Sequence, residues 1–312
     1  MLQRLPIIAI AALSLWGCAD EFSDYNQVDK LRVLAIRAEP PDLLFEDETT
    51  LEALVVGDDV ASYEWSWCPF SFSDSFEGEC PVPEEEFRQL VADLGGEEDP
   101  PPYLLGTGAS QPYKNLIPPA LLDLFCTQLG EIELPEGFEI PPCNGRFEIS
   151  LRLAVQGQGG ESIVTTTHLS LIYEDGLVPN QNPTITGGEM SVRGAPPFAF
   201  SEDTVTMVAR DVEYAVDVVV PESSIETFPD EEAESGETLE RLTMSWFYEA
   251  GSMDKSRSSY IDGFTDLANL GSNAYTTPSA DELERDDTKL FFVLRDDRGG
   301  IGWFIAQLEL SL

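Results

Sequence analysis

Two stretches of this chain, RFEISLRLAVQGQGGESIVTTTHLSL (146–171) and KLFFVLRDDRGGIGWFIAQLEL (289–310), share one plan: strand, Gly-Gly turn, strand. Gly-Gly supplies the positive φ that a tight hairpin needs. Upstream of each lies a tryptophan strand, ASYEWSWC (61–68) and RLTMSWFYEAG (241–251), in which Ser66-Trp67 matches Ser245-Trp246. Further period-2 runs precede them: LRVLAIRAEPP and TTLEALVV in the first half, MSVRG, DTVTMVARD and YAVDVVVP in the second. Strands of this length, alternating apolar and polar between turn residues, build antiparallel sandwiches, and the repetition points to two copies of one module.

The junction is Asp175-Gly-Leu-Val-Pro-Asn-Gln-Asn-Pro183, polar and bracketed by prolines. It reads as a semi-rigid linker over 177–184, dividing a first domain at 31–176 from a second at 185–312. Between the first Trp strand and its closing hairpin lies an insertion, residues 69–144. Within it PEEEFRQLVADLGG sets Phe87, Leu90, Val91 and Leu94 at i, i+3, i+4 and i+7, with acids in the first turn and Gly95 at the stop, the pattern of an amphipathic helix. PPALLDLFCTQLG reads as a second helix. The loop PESSIETFPDEEAESGETLE (221–240) is rich in Pro, Ser and Glu and is expected to be a mobile excursion between strands.

The first seventeen residues, MLQRLPIIAIAALSLWG, carry one basic residue and then an apolar run too short to span a bilayer, the pattern of a secretory signal. Leu15-Trp16-Gly17-Cys18 resembles the lipobox of bacterial lipoproteins, with Trp16 departing from the small residue usual before Gly. The resemblance implies that Cys18 receives a diacylglycerol, that residues 1–17 are removed, and that 18–30 form a lipidated tether. Several acyl chains anchor stably where one anchors marginally. Ala19 rather than Asp follows the cysteine, which by the sorting rule of enteric lipoproteins implies the outer membrane, on its periplasmic or cell-surface face.

Four cysteines remain, Cys68, Cys80, Cys126 and Cys143, all in or beside the insertion. An even number in an exported chain implies disulfides. Pairs Cys68–Cys80 and Cys126–Cys143 close short loops; the nested alternative is Cys68–Cys143 with Cys80–Cys126.

The order LRVLAIRAEPPDL, TTLEALVV, YEWSWC and closing hairpin is similar to predicted surface lipoproteins of myxobacteria and their relatives, which carry immunoglobulin-like domains. The expected fold is therefore all-β, two tandem immunoglobulin-like β-sandwiches, the first with a helical, disulfide-stapled insertion. The analogy implies that Trp67 and Trp246 are core residues, although Trp65 and Trp67 share one strand face and alternation leaves either as the core tryptophan.

Acids number 58 against 17 Lys and Arg, a formal charge of −41. That excess argues against nucleic acid and anionic lipid surfaces as partners, because phosphate binding needs lysine and arginine to release counterions. The acids read as a solvated coat that keeps the protein soluble. No HExxH, GxSxG, Walker loop or GxGxxG is present. A Ser-His-Asp triad would require the one histidine, His168, which falls on an exposed strand face, so no catalytic residue is assigned and the chain is read as a non-enzyme. No cofactor is expected apart from calcium, for which hard oxygen donors exist at Asp175, Asn180 and Asn182 in the linker and at Asp296 and Asp297 before the final Gly-Gly. The linker resembles the Asx-rich calcium junctions of cadherins.

The function expected is a non-enzymatic binding or scaffold module of the cell envelope, held to the membrane by its lipid and presenting loops to a protein or glycan partner. A calcium-dependent surface adhesion module, a carbohydrate-active enzyme and an accessory subunit of an envelope complex are the alternatives.

Overall fold

The computed structural model describes residues 24–68, 80, 82–93, 100–115, 117, 122, 126, 145–174, 176–229 and 235–311. The signal segment, Cys18, most of the second proposed helix, Cys143 and Asp175 lie outside the described residues.

The first domain consists of β1 (Arg32–Glu39), β2 (Asp42–Leu44), β3 (Glu48–Val56), β4 (Val60–Cys68), α1 (Glu84–Asp93), β5 (Leu104–Gly106), β6 (Ser110–Lys114), β7 (Arg146–Gly157) and β8 (Ser162–Ile172). One sheet has the order β1-β3-β6, the other β2-β8-β7-β4-β5. All neighbours are antiparallel except β2 with β8. The second domain consists of β9 (Gly187–Ser191), β10 (Phe198–Phe200), β11 (Val205–Ala209), β12 (Glu213–Val219), β13 (Thr227–Pro229), β14 (Glu237–Leu239), β15 (Leu242–Tyr248), β16 (Ser252–Met253), β17 (Arg257–Tyr260), β18 (Ser272–Thr276), β19 (Asp287–Arg295) and β20 (Ile301–Ser311). Its sheets run β10-β9-β12-β18-β16 and β11-β20-β19-β15-β17, with β13 and β14 forming a separate ribbon. In both domains a short early strand pairs parallel with the last strand, which is followed across the sheet by the penultimate strand and then the Trp strand. The two immunoglobulin-like sandwiches are thus built to one plan. The hairpins turn where expected, with Gly160 at φ 90° and Gly299 at φ 99°.

The three tryptophans of β4 and β15 are in the domain cores. Trp65 and Trp67 are both fully buried, as is Trp246. Each indole N–H finds an acceptor, as a buried donor must: Trp65 donates to the Gly108 carbonyl at 2.8 Å, Trp67 to that of Pro102 at 2.8 Å, and Trp246 to Ser258 Oγ at 2.9 Å. Trp246 packs edge-on against Phe292 of β19, centroids 5.3 Å apart. Trp67 packs edge-on against Phe87 of α1 and Tyr103. The helix therefore completes the core, burying Phe87 and Val91 as its spacing predicts.

The stretch 69–144 is not one insertion. Two of its segments, β5 and β6, are strands of the sandwich, β5 at the edge beside β4 and β6 at the edge beside β3. Three and five residues long, with Gly106 and Pro112 among them, they carry no period-2 signal, and proline sits at a sheet edge because it cannot donate to a central ladder. The added material lies before β5, where α1 sits, and after β6.

Cys68 and Cys80 are bonded, with Cα atoms 5.6 Å apart. That pairing excludes the nested alternative. Cys126 is disulfide-bonded as well.

A third apolar cluster lies between the domains. Val28, Leu34, Ala35, Leu54 and Val56 from the first domain's start and its β1 and β3 meet Phe247, Phe291 and Val293 of β15 and β19, with Ile301, Trp303 and Ile305 of β20 packed against them. A register shift between Val33 and Ala35 lets β1 bury three consecutive residues, Leu34, Ala35 and Ile36. The Arg37 guanidinium covers the Trp303 ring at 4.1 Å. The linker is therefore a locked joint, not a spacer.

The tether differs too. Residues 24–28 are not free: Gln27 bridges Tyr248 of β15, and the Val28 and Tyr248 amides exchange hydrogen bonds with the Tyr248 and Asn26 carbonyls. Buried Asn26 donates its side-chain amide to the carbonyls of Trp246 and Ser256. Strand β17 pairs with β15 from Leu242 only as far as Ser245, so the rest of that edge is open to the incoming chain.

Candidate functional site

The joint forms a cleft of about 550 Å³, floored by the outer face of β7 and β8 (Arg146, Glu148, His168, Ser170), walled by the linker (Leu177, Val178) and closed by Phe228 and Arg298 of the second domain. Side chains at alternate positions of β7 point inward to the core, which leaves Arg146 and Glu148 to the cleft.

Its anchor is a single carbonyl. Val178 O accepts from Arg146 Nη2 at 2.9 Å and from Arg298 Nη2 at 3.1 Å, an arginine from each domain. Arg146 also pairs with Asp42, whose side chain is 1% exposed, and donates to Ser170 Oγ. Arg298 pairs with Glu240 at 3.0 Å and Glu226 at 3.4 Å and lies over the Phe228 ring at 5.0 Å. These two acids flank the β13–β14 ribbon. Segment 221–240, expected to be a mobile excursion, is in its described parts a ribbon docked onto Arg298, because its terminal glutamates supply the arginine's counter-charges.

Glu240 is 1% exposed. Burial, followed by the nearby Asp296 carboxylate, pushes its pKa up to about 7 against the opposing pull of the Glu226 backbone hydrogen bond and of Arg298. Burial likewise raises Asp296, opposed by hydrogen bonds from Asn180 and from the Arg298 and Gly300 amides.

The structure brings together three of the five residues named for calcium, and each has its oxygens turned to N–H donors. Asn180 Oδ1 accepts from the Gln181 amide at 2.9 Å, and Asn182 Oδ1 accepts from the Ile301 amide at 2.8 Å. Asp296 Oδ1 accepts from the Arg298 and Gly300 amides, and its Oδ2 from Asn180 Nδ2 at 3.1 Å. Asn182 Nδ2 reaches the Ala38 carbonyl and Glu39, so its side chain spans both domains. These are the groups of a hydrogen-bonded seam. Asp297 stands apart, accepting from the Arg241 amide at 3.2 Å. Among the described residues no group of three or more His, Cys, Asp or Glu side chains is placed to hold a metal. The linker lies so close to β20 that a Cβ on Gly302 would sit 2.0 Å from the Pro183 carbonyl oxygen.

His168 is exposed, as its strand position implied, and its Nδ1 lies 3.4 Å from Ser150 Oγ across the β7–β8 pair. A nucleophile and base also need a third group on the other ring nitrogen, and among the described residues no carboxylate is hydrogen-bonded there. The sequence reading missed Arg146, Arg298, Glu226 and Glu240 altogether. One signal was available: LFFVL at 290–294 is apolar without alternation, the mark of a strand covered on both faces.

No family model and no curated protein matches this chain. Among solved structures, murine CEACAM1b is similar over 89% of this chain and 99% of that one, at 9% identity and a TM-score of 0.20. PcdhgB3 EC1-4 is similar over 56% of this chain and 35% of that one, at 14% identity and a TM-score of 0.20. Likeness at that level carries no argument about function, and the immunoglobulin-like description rests on the strand order above.

Proposed function

We propose that this chain is a membrane-anchored lipoprotein of the outer membrane, acylated at Cys18, that works as a non-enzymatic binding or scaffold module. The observation that carries the reading is the fused joint. Two sandwiches sharing a third apolar core, with one linker carbonyl clamped by Arg146 and Arg298, hold the cleft in a fixed shape before any partner arrives. A preorganised site loses less freedom on binding than one that must order itself. Arginine, the apolar faces of Phe228 and Leu177, and the exposed His168 together suit a protein segment or a glycan.

The test has two arms. Cys18→Ser should move the protein from the detergent phase to the aqueous phase; retention in the detergent phase would defeat the anchor. A photo-crosslinking residue placed at Phe228 or Glu148 in cells should give a discrete adduct that the same residue at Phe264, 86% exposed on a distant loop in sequence, does not. Identical adduct patterns from all three positions would defeat the cleft as the binding surface.

A further inference from the structure

In a chain with 17 basic residues and 58 acids, arginines without a carboxylate partner are conspicuous. Three of them, Arg32, Arg257 and Arg295, line one pocket of about 310 Å³ beside Tyr25, Ser245 and Phe247. None of the three takes part in an ion pair among the described residues. Two of them, Arg32 and Arg295, are held instead by neutral groups. Arg32 donates to the carbonyls of Tyr25 and Gln27, and its guanidinium lies 4.8 Å from the Tyr25 ring centre and 5.5 Å from that of Phe247. Arg295 donates to the Leu34 carbonyl at 2.6 Å and to Ser245 Oγ at 3.4 Å. Arg257 is exposed at the start of β17.

Carbonyls, a hydroxyl and ring faces orient a guanidinium without cancelling its charge. One acid lines the pocket, Asp296, and its oxygens are engaged by Asn180 and by the Arg298 and Gly300 amides. Burial, then the neighbouring Arg257, press the Arg295 pKa downward against the pull of Tyr25, which places two guanidiniums close enough to repel.

We infer that this pocket binds a phosphate-type oxyanion. A carboxylate has two oxygens and is satisfied by one arginine fork, whereas three guanidiniums from β1, β17 and β19 match a tetrahedral group that offers several acceptor oxygens and more than one charge. The chain's overall negative charge opposes long-range attraction, but at physiological salt that field is screened beyond about 8 Å, inside which the three arginines dominate. The phosphate has two sources: a soluble phosphoester or a lipid headgroup. Tyr25 follows Cys18 by seven residues, a reach of at most about 25 Å, so an anchored chain keeps the pocket near headgroups; that second source rests on the anchor proposed above.

The test uses the full chain carrying Cys18→Ser and inorganic phosphate, titrated by calorimetry against chloride at constant ionic strength and pH. Saturable phosphate binding is expected, weakened at least tenfold by Arg257→Gln and by Arg295→Gln, and unchanged by Arg193→Gln, an exposed arginine outside the pocket. Arg257→Gln removes no side-chain hydrogen bond among the described residues, so it separates loss of binding from loss of fold. Absence of a phosphate effect beyond chloride, or equal weakening by Arg257→Gln and Arg193→Gln, would overturn the inference. Flotation with phosphatidylcholine vesicles then assigns the source: Arg257-dependent flotation indicates a headgroup, and phosphate binding without flotation a soluble ligand.

Discussion

Phe291 offers the sharpest test of the fused architecture. It is 3% exposed, yet it faces the first domain and not the core of its own sandwich, packed in the cluster that holds Leu34, Leu54 and Val293. Phe291→Ala removes a buried ring and leaves a cavity between two rigid sheets that cannot collapse around it, a loss of about 3–5 kcal/mol for such truncations. At roughly 2–4 °C per kcal/mol for a unit of 150–250 residues, a loss at the lower end lowers the midpoint by about 6–12 °C. Because the lost contacts lie between the domains and leave each domain's own core intact, the variant should also change the shape of the transition. Scanning calorimetry is expected to resolve one endotherm for the wild type and two for Phe291→Ala. Phe264→Ala, at a fully solvated ring, serves as the control. A single endotherm within about 1 °C of the wild type would show that the cluster carries no coupling, and the fused joint would fall with it.

Three further outcomes follow from particular groups. Glu240 has a folded pKa raised to about 7 from an ordinary 4.5, so the folded state holds a proton that the unfolded chain releases across that window. Its contribution to stability should therefore be fully present below about pH 4.5 and be lost, by up to about 3 kcal/mol, as pH rises through 7. Denaturant titrations of Glu240→Gln should lose much of that slope, and an unchanged slope would sink the assignment. Removing the Cys68–Cys80 bond by double alanine substitution opens a short loop, for which a loss of about 3 kcal/mol is expected; in a Phe291→Ala background only one of the two endotherms should move, and movement of both equally would contradict the domain boundary. Asn26→Ala leaves the Trp246 and Ser256 carbonyls without their side-chain donor, at a cost of about 1–3 kcal/mol, and should render residues 24–30 open to limited proteolysis; unchanged resistance would mean that the backbone bonds to Tyr248 alone hold the segment.

What the sequence disclosed was what period and punctuation encode. Alternation located β1, β3, β4, β7 and β8 and, in the second domain, β9, β11 and β12, the Gly-Gly pairs located both hairpins, and the spacing of Phe87 and Val91 located α1 and its buried face. What it withheld depends on a second surface. Strands β5 and β6 exist because β4 and β3 offer open edges, and no local pattern in LLG or SQPYK marks them. Asn180 and Asn182 read as calcium ligands because an Asx-rich, proline-bounded stretch has the same composition whether its oxygens meet a cation or an amide. In the structure Asn180 Oδ1 meets the adjacent Gln181 amide and Asn182 Oδ1 the Ile301 amide of β20, and the second contact exists only once β20 is placed beside the linker.

The distribution of arginine explains how two acidic bodies can share a core at all. Both domains carry acids in excess, and like charges brought together repel most strongly where water is excluded. The chain puts its scarce guanidiniums at that seam: Arg37 on Trp303, Arg146 and Arg298 on the linker carbonyl of Val178, Arg295 on the Leu34 carbonyl. Each touches a neutral group of the other domain or of the linker, and three of them, Arg37, Arg146 and Arg298, also offset acids there by pairing with Glu52, Asp42, Glu226 and Glu240. The same placement accounts for the arginine pocket beside the tether, since Arg32 bonds the Tyr25 and Gln27 carbonyls and Arg295 the Leu34 carbonyl of β1 regardless of ligand. Salt should then stabilise this joint and not weaken it, because screening relieves repulsion between the acidic surfaces while the buried apolar contacts of Leu34, Phe291 and Val293 are untouched by it.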